Sequence, residues 1–319
     1  MKFTNCVTLV GSKPKRYEGT KRYVSTGALA VDHIDEESVE LVGYEDRPSR
    51  ADLTAESGDV LFAKMADTKK TILLDKENAE NIYSTGFFVV RAKPGMITAE
   101  CLYYLLTSDV FLRQKNKHSS GATQRAITNK GLEAIDISIP NLDEQTRLVA
   151  KLDALSKVIK SREQQLAELD NLIKARFVEL FGDSKVNPYG FNKVRLEDSC
   201  EIVTGNTPSR TVNDYYGDYI EWIKTDNIMA EMMYPTRATE SLSEVGLKVG
   251  RYVEKGAILM ACIAGSVASI GKVCITDRQV AFNQQINAIV PKKYNALFLY
   301  VLLQTSKDYL VEELNMALK

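Results

Sequence analysis

The sequence predicts an α+β fold in which two similar mixed α/β modules are joined by one long helix of the coiled-coil type. The sequence repeats itself with a period of roughly 200 residues, which indicates domain duplication rather than a solenoid of short repeats. A heptad pattern of leucine and isoleucine separates the two copies. Each copy combines short β-rich segments with a helical one. The 319 residues are enough for two domains and a connector.

The two copies match in the order of their apolar and turn residues. Asn5–Arg16 corresponds to Ser199–Arg210, and the match resumes after a short insertion. The later matching segments are Tyr23–Thr26 with Trp222–Thr225, Gly58–Leu61 with Gly256–Leu259, and Leu102–Leu106 with Leu299–Leu303. We therefore expect a first domain at residues 1–140, a helix at 141–183 and a second domain at 184–319. Because the two domains are similar, we expect each of them to perform the same kind of binding.

Within each copy, the β-rich segments predict short strands. In the first copy we expect strands at 22–24, 39–42, 59–63, 71–74 and 86–91, then a helix at 99–115. In the second we expect strands at 220–224, 257–263, 271–275 and 286–291, then a helix from 295 onward. The alternating segment 135–139, which Pro140 closes, predicts a last strand in the first copy.

The segment between the copies has the signals of a single helix. Asn141, with Glu144 three residues later, is suited to an N-cap, and Gly182 to a C-terminal stop. Arg162 and Arg176 occupy the two stripe positions that are not apolar, where polar groups tend to fix register and partner choice. The apolar stripe recurs at spacings of four and three, at Leu148, Leu152, Leu155, Ile159, Leu166, Leu169, Ile173 and Leu180.

Two interpretations of this helix are open. It could be a core helix of one large domain, or a spacer that holds two domains apart. The stripe covers 33 residues from Leu148 to Leu180, which is about 50 Å of helix, longer than a typical domain is wide. Because it also divides two similar modules, we favour the spacer.

Composition is that of an ordinary globular protein, with 45% hydrophobic and 26% charged residues. No apolar run approaches the roughly 20 residues of a membrane span, and there is no signal-peptide core, so we expect a cytoplasmic protein without a membrane partner. The five cysteines form no CxxC pair, which argues against a disulfide framework and a zinc site.

The net charge of −1 does not by itself indicate a nucleic-acid partner, but local clusters do. Residues 110–132 contain no acid, and a second basic cluster lies at 13–22 with only Glu18 in opposition. Phosphate binding requires such a local basic face rather than a high isoelectric point. A solvated surface that happens to be basic is the alternative interpretation.

No convincing catalytic site is present in the sequence. Gly265–Lys272 has the wrong glycine spacing for a phosphate loop, and Val273 stands where the metal-binding hydroxyl would be, so we interpret it as a hairpin turn. Asn187-Pro188-Tyr189 lacks the second proline of the amino-methyltransferase motif. The two histidines have neither nucleophile nor metal-ligand spacing. We expect no catalytic residue, no metal and no cofactor.

The helix motif carries a resemblance to a known family. Asp170–Asp183 closely resembles the central conserved region of the DNA-specificity subunit of type I restriction-modification systems, which serve bacterial defence. Weaker matches follow in the same order as in that family, at 121–123, 205–209, 219–225 and 270–273. Together they cover nearly the whole chain.

The resemblance implies a non-catalytic subunit. Each module would be a target-recognition domain that reads one half of a split site in double-stranded DNA, and the helix would set the gap between the halves. Modification subunits docked on the helix would methylate adenine, and an ATP-driven restriction subunit would cleave. The alternative function is a truncated assembly or decoy subunit that binds modification subunits without productive DNA recognition.

In such a protein, basic side chains position the phosphates and loop tips read base edges. From charge and loop position we expect phosphate contacts from Lys13, Lys15, Arg16, Lys115, Lys117, Arg125 and Arg210. Contacts nearer the bases are expected from Lys64, Lys69, Lys70, Lys224 and Lys272.

Members of that family normally carry a second long helix after the second module, antiparallel to the first. This sequence stops at Lys319, so we expect a shortened second domain that lacks its last strand and the partner helix. Burial of each seam Leu or Ile is worth about 1.5 to 3 kcal/mol, so the seam should be covered. A second copy, a separate fragment or the modification subunits could cover it.

Overall fold

A computed structural model describes residues 1–230, 232–263 and 269–317, with side chains as far as residue 312 in the last helix. The chain divides into two compact units, Met1–Lys160 and Ser161–Lys319, so that the boundary falls inside the long helix. Each unit contains one mixed α/β module and one half of that helix. The predicted fold class is therefore confirmed, whereas the finer division at residues 140 and 183 stays a prediction.

The first module consists of two four-stranded sheets, a short two-stranded sheet and the helices that flank them. Its helices are α1 (Phe3–Cys6), α2 (Ala99–Thr107), α3 (Asp109–Lys117) and α4 (Asn129–Ala134). Its strands are β1 (Val7–Val10), β2 (Thr20–Val24), β3 (Glu40–Gly43), β4 (Ala51–Leu53), β5 (Val60–Ala63), β6 (Thr71–Leu73), β7 (Ile82–Ser84), β8 (Phe87–Ala92), β9 (Ser119–Ser120) and β10 (Ala126–Ile127). One sheet has the antiparallel order β1-β8-β5-β6. The other four-stranded sheet has the order β3-β2-β7-β4, with β2 parallel to β7.

Strand β5 is apolar throughout because it is buried on both faces. Val60 and Phe62 face a core shared with helix α2, whereas Leu61 and Ala63 face a core shared with the second sheet. Since successive side chains of a strand point to opposite faces, a strand buried on both faces has no polar positions. Phe62 packs edge-on against Phe111 of α3, with ring centroids 5.6 Å apart.

The second module repeats this topology. Its helices are α6 (Leu196–Ser199), α7 (Glu244–Val249), α8 (Ala296–Thr305) and α9 (Lys307–Ala317). Its strands are β11 (Cys200–Thr204), β12 (Tyr216–Gly217), β13 (Ile220–Ile223), β14 (Ser241–Leu242), β15 (Tyr252–Val253), β16 (Ile258–Ala261), β17 (Val273–Ile275), β18 (Val280–Phe282) and β19 (Ile286–Pro291). The order β11-β19-β16-β17 matches β1-β8-β5-β6 strand for strand.

The register confirms the alignment of the two copies. Tyr23 pairs with Ile82 in the parallel ladder of the first module, and Trp222 pairs with Ala281 in that of the second. The turns before β5 and β16 use the left-handed backbone at Gly58 (φ 89°) and Gly256 (φ 94°), a conformation that favours glycine. Tyr23 and Trp222 therefore lie at equivalent positions of the two modules, as do Gly58 and Gly256, and the sequence repeat predicts both equivalences.

Three predicted elements were wrong. The expected single helix from residue 99 to 115 is broken at Ser108, whose hydroxyl accepts from the backbone N–H of Phe111 and begins α3. The second module has the same break between α8 and α9 at Ser306. The segment 135–139 is not a strand, because it forms only an isolated bridge between Lys2 and Asp136.

The long helix α5 runs from Leu142 to Phe181, 40 residues and therefore about 60 Å. The Asn141 side chain accepts from the backbone N–H of Glu144 at 3.0 Å, which confirms the predicted N-cap. Gly182 ends the helix with φ 79°, as predicted. No helix among the described residues combines the length and the apolar composition that a membrane span requires.

Candidate nucleic-acid interface

The basic residues around the β5–β6 hairpin of the first module mostly face inward. Lys115 is only 3% exposed, and its ammonium donates to the backbone carbonyls of Ala63 (3.2 Å) and Thr68 (2.5 Å). Burial lowers the pKa of this lysine to about 8. The prediction that Lys115 contacts phosphate was therefore wrong, because its charge is buried inside the hairpin that it holds.

Three further lysines of this hairpin have partners in the protein. Lys64 donates to the carbonyl of Thr85 at 2.8 Å and lies 4.6 Å from the ring centroid of Phe88. Burial lowers its pKa. Lys70 donates to the carbonyl of Thr26 at 2.8 Å, and Lys69 pairs with Asp109 at 2.7 Å. These contacts give the lysines a role in holding the hairpin, whereas base contacts from them stay a prediction.

The other cations predicted for the first module are exposed. Lys13 lies 3.5 Å from Asp52, and Arg16 lies 3.0 Å from Glu45, with 86% and 80% of the two basic side chains exposed. Lys15, Lys117 and Arg125 are also exposed. Ion pairs this exposed are weak and exchange readily with a phosphate.

In the second module, five residues form a cluster that we call the Arg210 cluster: Arg210, Tyr216, Trp222, Lys224 and Glu240. The Arg210 guanidinium lies 4.6 Å from the ring centroid of Tyr216 and 5.1 Å from that of Trp222. It pairs with Glu240 at 2.6 Å. Lys224 pairs with the other oxygen of Glu240 and lies 5.3 Å from the Trp222 ring. The structure thus brings together two predicted DNA-binding residues, Arg210 and Lys224.

The segment that precedes this cluster is fixed by backbone contacts. The indole of Trp222 donates to the carbonyl of Asn206 at 3.3 Å, and the hydroxyl of Tyr216 donates to that of Pro208 at 2.7 Å. Gly205 has no room for a side chain, since an added Cβ would lie 2.0 Å from the carbonyl oxygen of Asn283. The loop that carries Arg210 is therefore rigidly supported.

The charges of the cluster support one another. Hydrogen bonds from Arg210 and Lys224 lower the pKa of Glu240, and the bond to Glu240 raises the pKa of Arg210. In the cluster, one carboxylate faces two basic side chains, Arg210 and Lys224. The cluster therefore presents a net positive charge.

Sequence analysis missed Tyr216, Trp222 and Glu240 as members of this site. The available signal was that Trp222 is the single tryptophan of the chain and lies in the matched segment just before Lys224. Lys272 is half-buried, and residues 264–268 of its predicted hairpin turn lie outside the described residues. Within the described ranges, no group of three or more His, Cys, Asp and Glu side chains could hold a metal ion.

The apolar seam of α5 faces away from the rest of its own chain. Its members are between 37% and 64% exposed, namely Leu148, Leu152, Leu155, Ile159, Leu166, Leu169, Ile173 and Leu180. Arg162 donates to Gln165 at 2.8 Å, and Arg176 pairs with Glu179 at 2.6 Å, so both arginines have partners on their own helix. A partner along the seam stays a prediction.

Each end of α5 is attached to its own module by a contact that the heptad pattern does not reveal. Gln145 is fully buried, accepts from the backbone N–H of Thr98, and donates to the carbonyls of Met96 and Pro140. At the other end Phe177 packs against Phe298 of α8, with ring centroids 5.4 Å apart. Both attachments leave the seam exposed.

Comparison with known proteins gives consistent matches. The chain matches the family described as type I restriction modification DNA specificity domain over residues 13–171 and 188–317. It is 24% identical to the type I restriction enzyme HindI specificity subunit of Haemophilus influenzae, over 83% of this chain and 73% of that protein. It is 29% identical to the type I restriction enzyme MjaIX specificity subunit of Methanocaldococcus jannaschii, over 42% of this chain and 32% of that protein.

The fold is also similar to a solved structure. The crystal structure of the type I restriction-modification system S subunit from M. genitalium superposes with a TM-score of 0.50 at 13% identity, covering 99% of this chain and 79% of that one. At this identity the similarity concerns the fold alone. The two ranges matched by the family description each contain one of the repeated modules.

Proposed function

This chain belongs to the family of type I restriction-modification DNA specificity domains, as its resemblance to that family implied, and we propose that its modules read the two halves of a split DNA site. The specificity subunit of a type I system binds DNA and assembles with methylase and restriction subunits. The proposal assigns recognition of one half-site to each module and the setting of the gap to α5.

The observation that carries this proposal is that one topology occurs twice with different exposed cations. Strand order, the parallel pair and the two left-handed glycines recur in both modules. The surroundings of the exposed cations differ, since Arg210 contacts two aromatic rings and Glu240, whereas Arg16, its match in the repeat, pairs with Glu45 alone. A shared scaffold with different loop chemistry is what two different half-sites require.

The exposed seam of α5 supports a second part of the proposal. We infer that a partner covers the seam, because an apolar stripe of this length is costly to leave in water. Modification subunits that dock there would be held at a set distance from both half-sites. A second copy of the chain or a fragment of it would cover the same residues.

The methylation pattern of a host that carries this chain with its modification subunits tests the proposal. We expect methylated adenines in a motif of two short halves separated by a fixed number of unread base pairs. A contiguous motif, or methylation that does not depend on this chain, would exclude two-module reading. A gel shift on DNA containing the motif separates the decoy function, which predicts binding of modification subunits without sequence-specific retardation.

The spacer role has its own test. Insertion of one heptad after Glu163, where the helix is exposed, adds about 10 Å of helix. Since base pairs of B-DNA are about 3.4 Å apart, the gap of the methylated motif should grow by about three base pairs. Both halves should stay unchanged. An unchanged gap would exclude α5 as the element that sets it.

A further inference from the structure

The Arg210 cluster holds an exposed guanidinium in place through two aromatic rings and a carboxylate. More than half of the Arg210 side chain (55%) is exposed, yet its guanidinium contacts two aromatic rings and a carboxylate. An exposed arginine normally loses rotamer freedom when it binds a ligand. Arg210 has already lost much of that freedom in the free protein.

The equivalent region of the first module has no such arrangement among its described contacts. Arg16 occupies the position of Arg210 in the sequence repeat, but it pairs with Glu45, and 80% of its side chain is exposed. Tyr23 replaces Trp222 in the same register of the parallel ladder. The first module does hold a guanidinium at Arg47, which lies 4.3 Å from the Tyr44 ring centroid and pairs with Asp52, but only 18% of that side chain is exposed. An exposed and fixed guanidinium at this position of the repeat is therefore particular to the second module.

The chemistry of a fixed guanidinium favours one DNA base. Its five N–H groups form a planar fork, of which the Nη1 end pairs with Glu240 Oε2 at 2.6 Å. In the major groove, guanine alone presents two adjacent acceptors, N7 and O6, that fit this fork. A phosphate contact requires positive charge but no such fixed orientation, and a mobile lysine would serve it as well.

We propose that Arg210 reads a guanine in the half-site bound by the second module. Glu240, Tyr216 and Trp222 are positioning residues that hold its guanidinium in place. Lys224 keeps Glu240 charged and oriented through the second carboxylate oxygen. This inference rests on the proposed function, because it assumes that the second module binds DNA.

Selection from a randomised double-stranded DNA library tests the proposal, with the chain both alone and assembled with its modification subunits. The wild-type motif is compared with that of Arg210→Lys, which keeps the charge but loses the fork. We expect the preference for guanine at one base pair of one half-site to fall about 5- to 150-fold, the range of a bidentate contact. The other half-site should be unaffected.

Glu240→Gln tests the positioning role. It should weaken the preference at the same base pair and nowhere else, a result that a structural role in the loop would not produce. Arg237→Lys is the matched control, since Arg237 is 80% exposed and pairs with Glu221 in the same module. We expect its motif to equal that of the wild type, and circular dichroism verifies that all three variants are folded.

Three results would overturn the inference. If Arg210→Lys or Arg210→Ala lowers affinity equally for all sequences and reduces the salt slope by about one, Arg210 contacts a phosphate. If neither variant changes affinity or motif, the cluster only supports the loop. If the wild-type complex selects no motif at all, the proposed function fails and the assignment of Arg210 fails with it.

Discussion

The titration of Glu221 should couple the stability of the second module to pH, and replacing this residue should remove that coupling. Its carboxylate is 19% exposed and accepts from Arg278 at 2.6 and 3.2 Å, from Arg237, and from the backbone N–H of Ala238 at 3.2 Å. Burial by itself would raise the pKa of Glu221, but these hydrogen bonds outweigh burial and lower it to about 2 from an ordinary value of 4.5.

The size and sign of the effect follow from this shift. A carboxylate with a lowered pKa in the folded state stabilises the fold above its unfolded pKa, and that stabilisation is lost as the pH falls from 4.5 toward 2. Glu221→Gln should therefore lower the free energy of unfolding by about 3 kcal/mol at pH 7, and by only about 1 kcal/mol at pH 3.

Trp222 provides the assay, because it is the single tryptophan, is buried, and adjoins Glu221 in β13. Its fluorescence during urea unfolding reports on the second module alone. The control is Glu201→Gln, whose carboxylate pairs with Lys292 at 3.2 Å with both side chains more than half exposed. We expect that control to change the free energy by less than about 1 kcal/mol. Equal losses for Glu221→Gln at pH 7 and pH 3 would refute the reasoning.

Three further predictions concern the supports of the candidate interface. Gly205→Ala should prevent the second module from folding to its native stability, seen as a lower urea midpoint of Trp222 fluorescence. Gly27→Ala in the first module, whose Cβ would lie 3.4 Å from Ser25 Oγ, should leave the urea midpoint of that module almost unchanged, as followed by circular dichroism. Phe177→Ala should lower the free energy of unfolding by about 3 to 5 kcal/mol and increase hydrogen exchange in the last turns of α5. Leu172→Ala is the control, because this side chain is 63% exposed and its loss should change the free energy little unless a partner is added. Because the pKa of Lys115 is lowered to about 8, the first module should gain stability as the pH rises from 8 toward 10.5. Urea unfolding followed by circular dichroism should show that Lys115→Met abolishes this gain. If the variant keeps the pH dependence of the wild type, the burial of the Lys115 charge is contradicted.

The candidate site shows that the charge of a residue in the sequence does not predict whether it is available to bind DNA. The sequence predicts Lys64, Lys69 and Lys70 at a hairpin tip and Lys115 in a basic segment farther along the chain. Each of them has a partner within the first module, and Lys115 is buried. The ammonium group of a lysine requires hydrogen-bond acceptors, but the sequence does not show which acceptors the fold brings close to it. Ala63 and Thr68 lie about fifty residues before Lys115 in the chain, so no local pattern predicts that they bind it.

The sequence alone determined the duplication, the strand segments that match between the copies, and the long helix with its N-cap at Asn141 and its stop at Gly182. These features depend on periodicity and on capping, which act over a few residues and recur in both copies. Only the tertiary structure decided that Gln145 attaches the helix, that 135–139 is not a strand, and that Glu240 meets Arg210. Those outcomes depend on contacts between distant segments, whose geometry is set by sheet packing rather than by neighbouring residues.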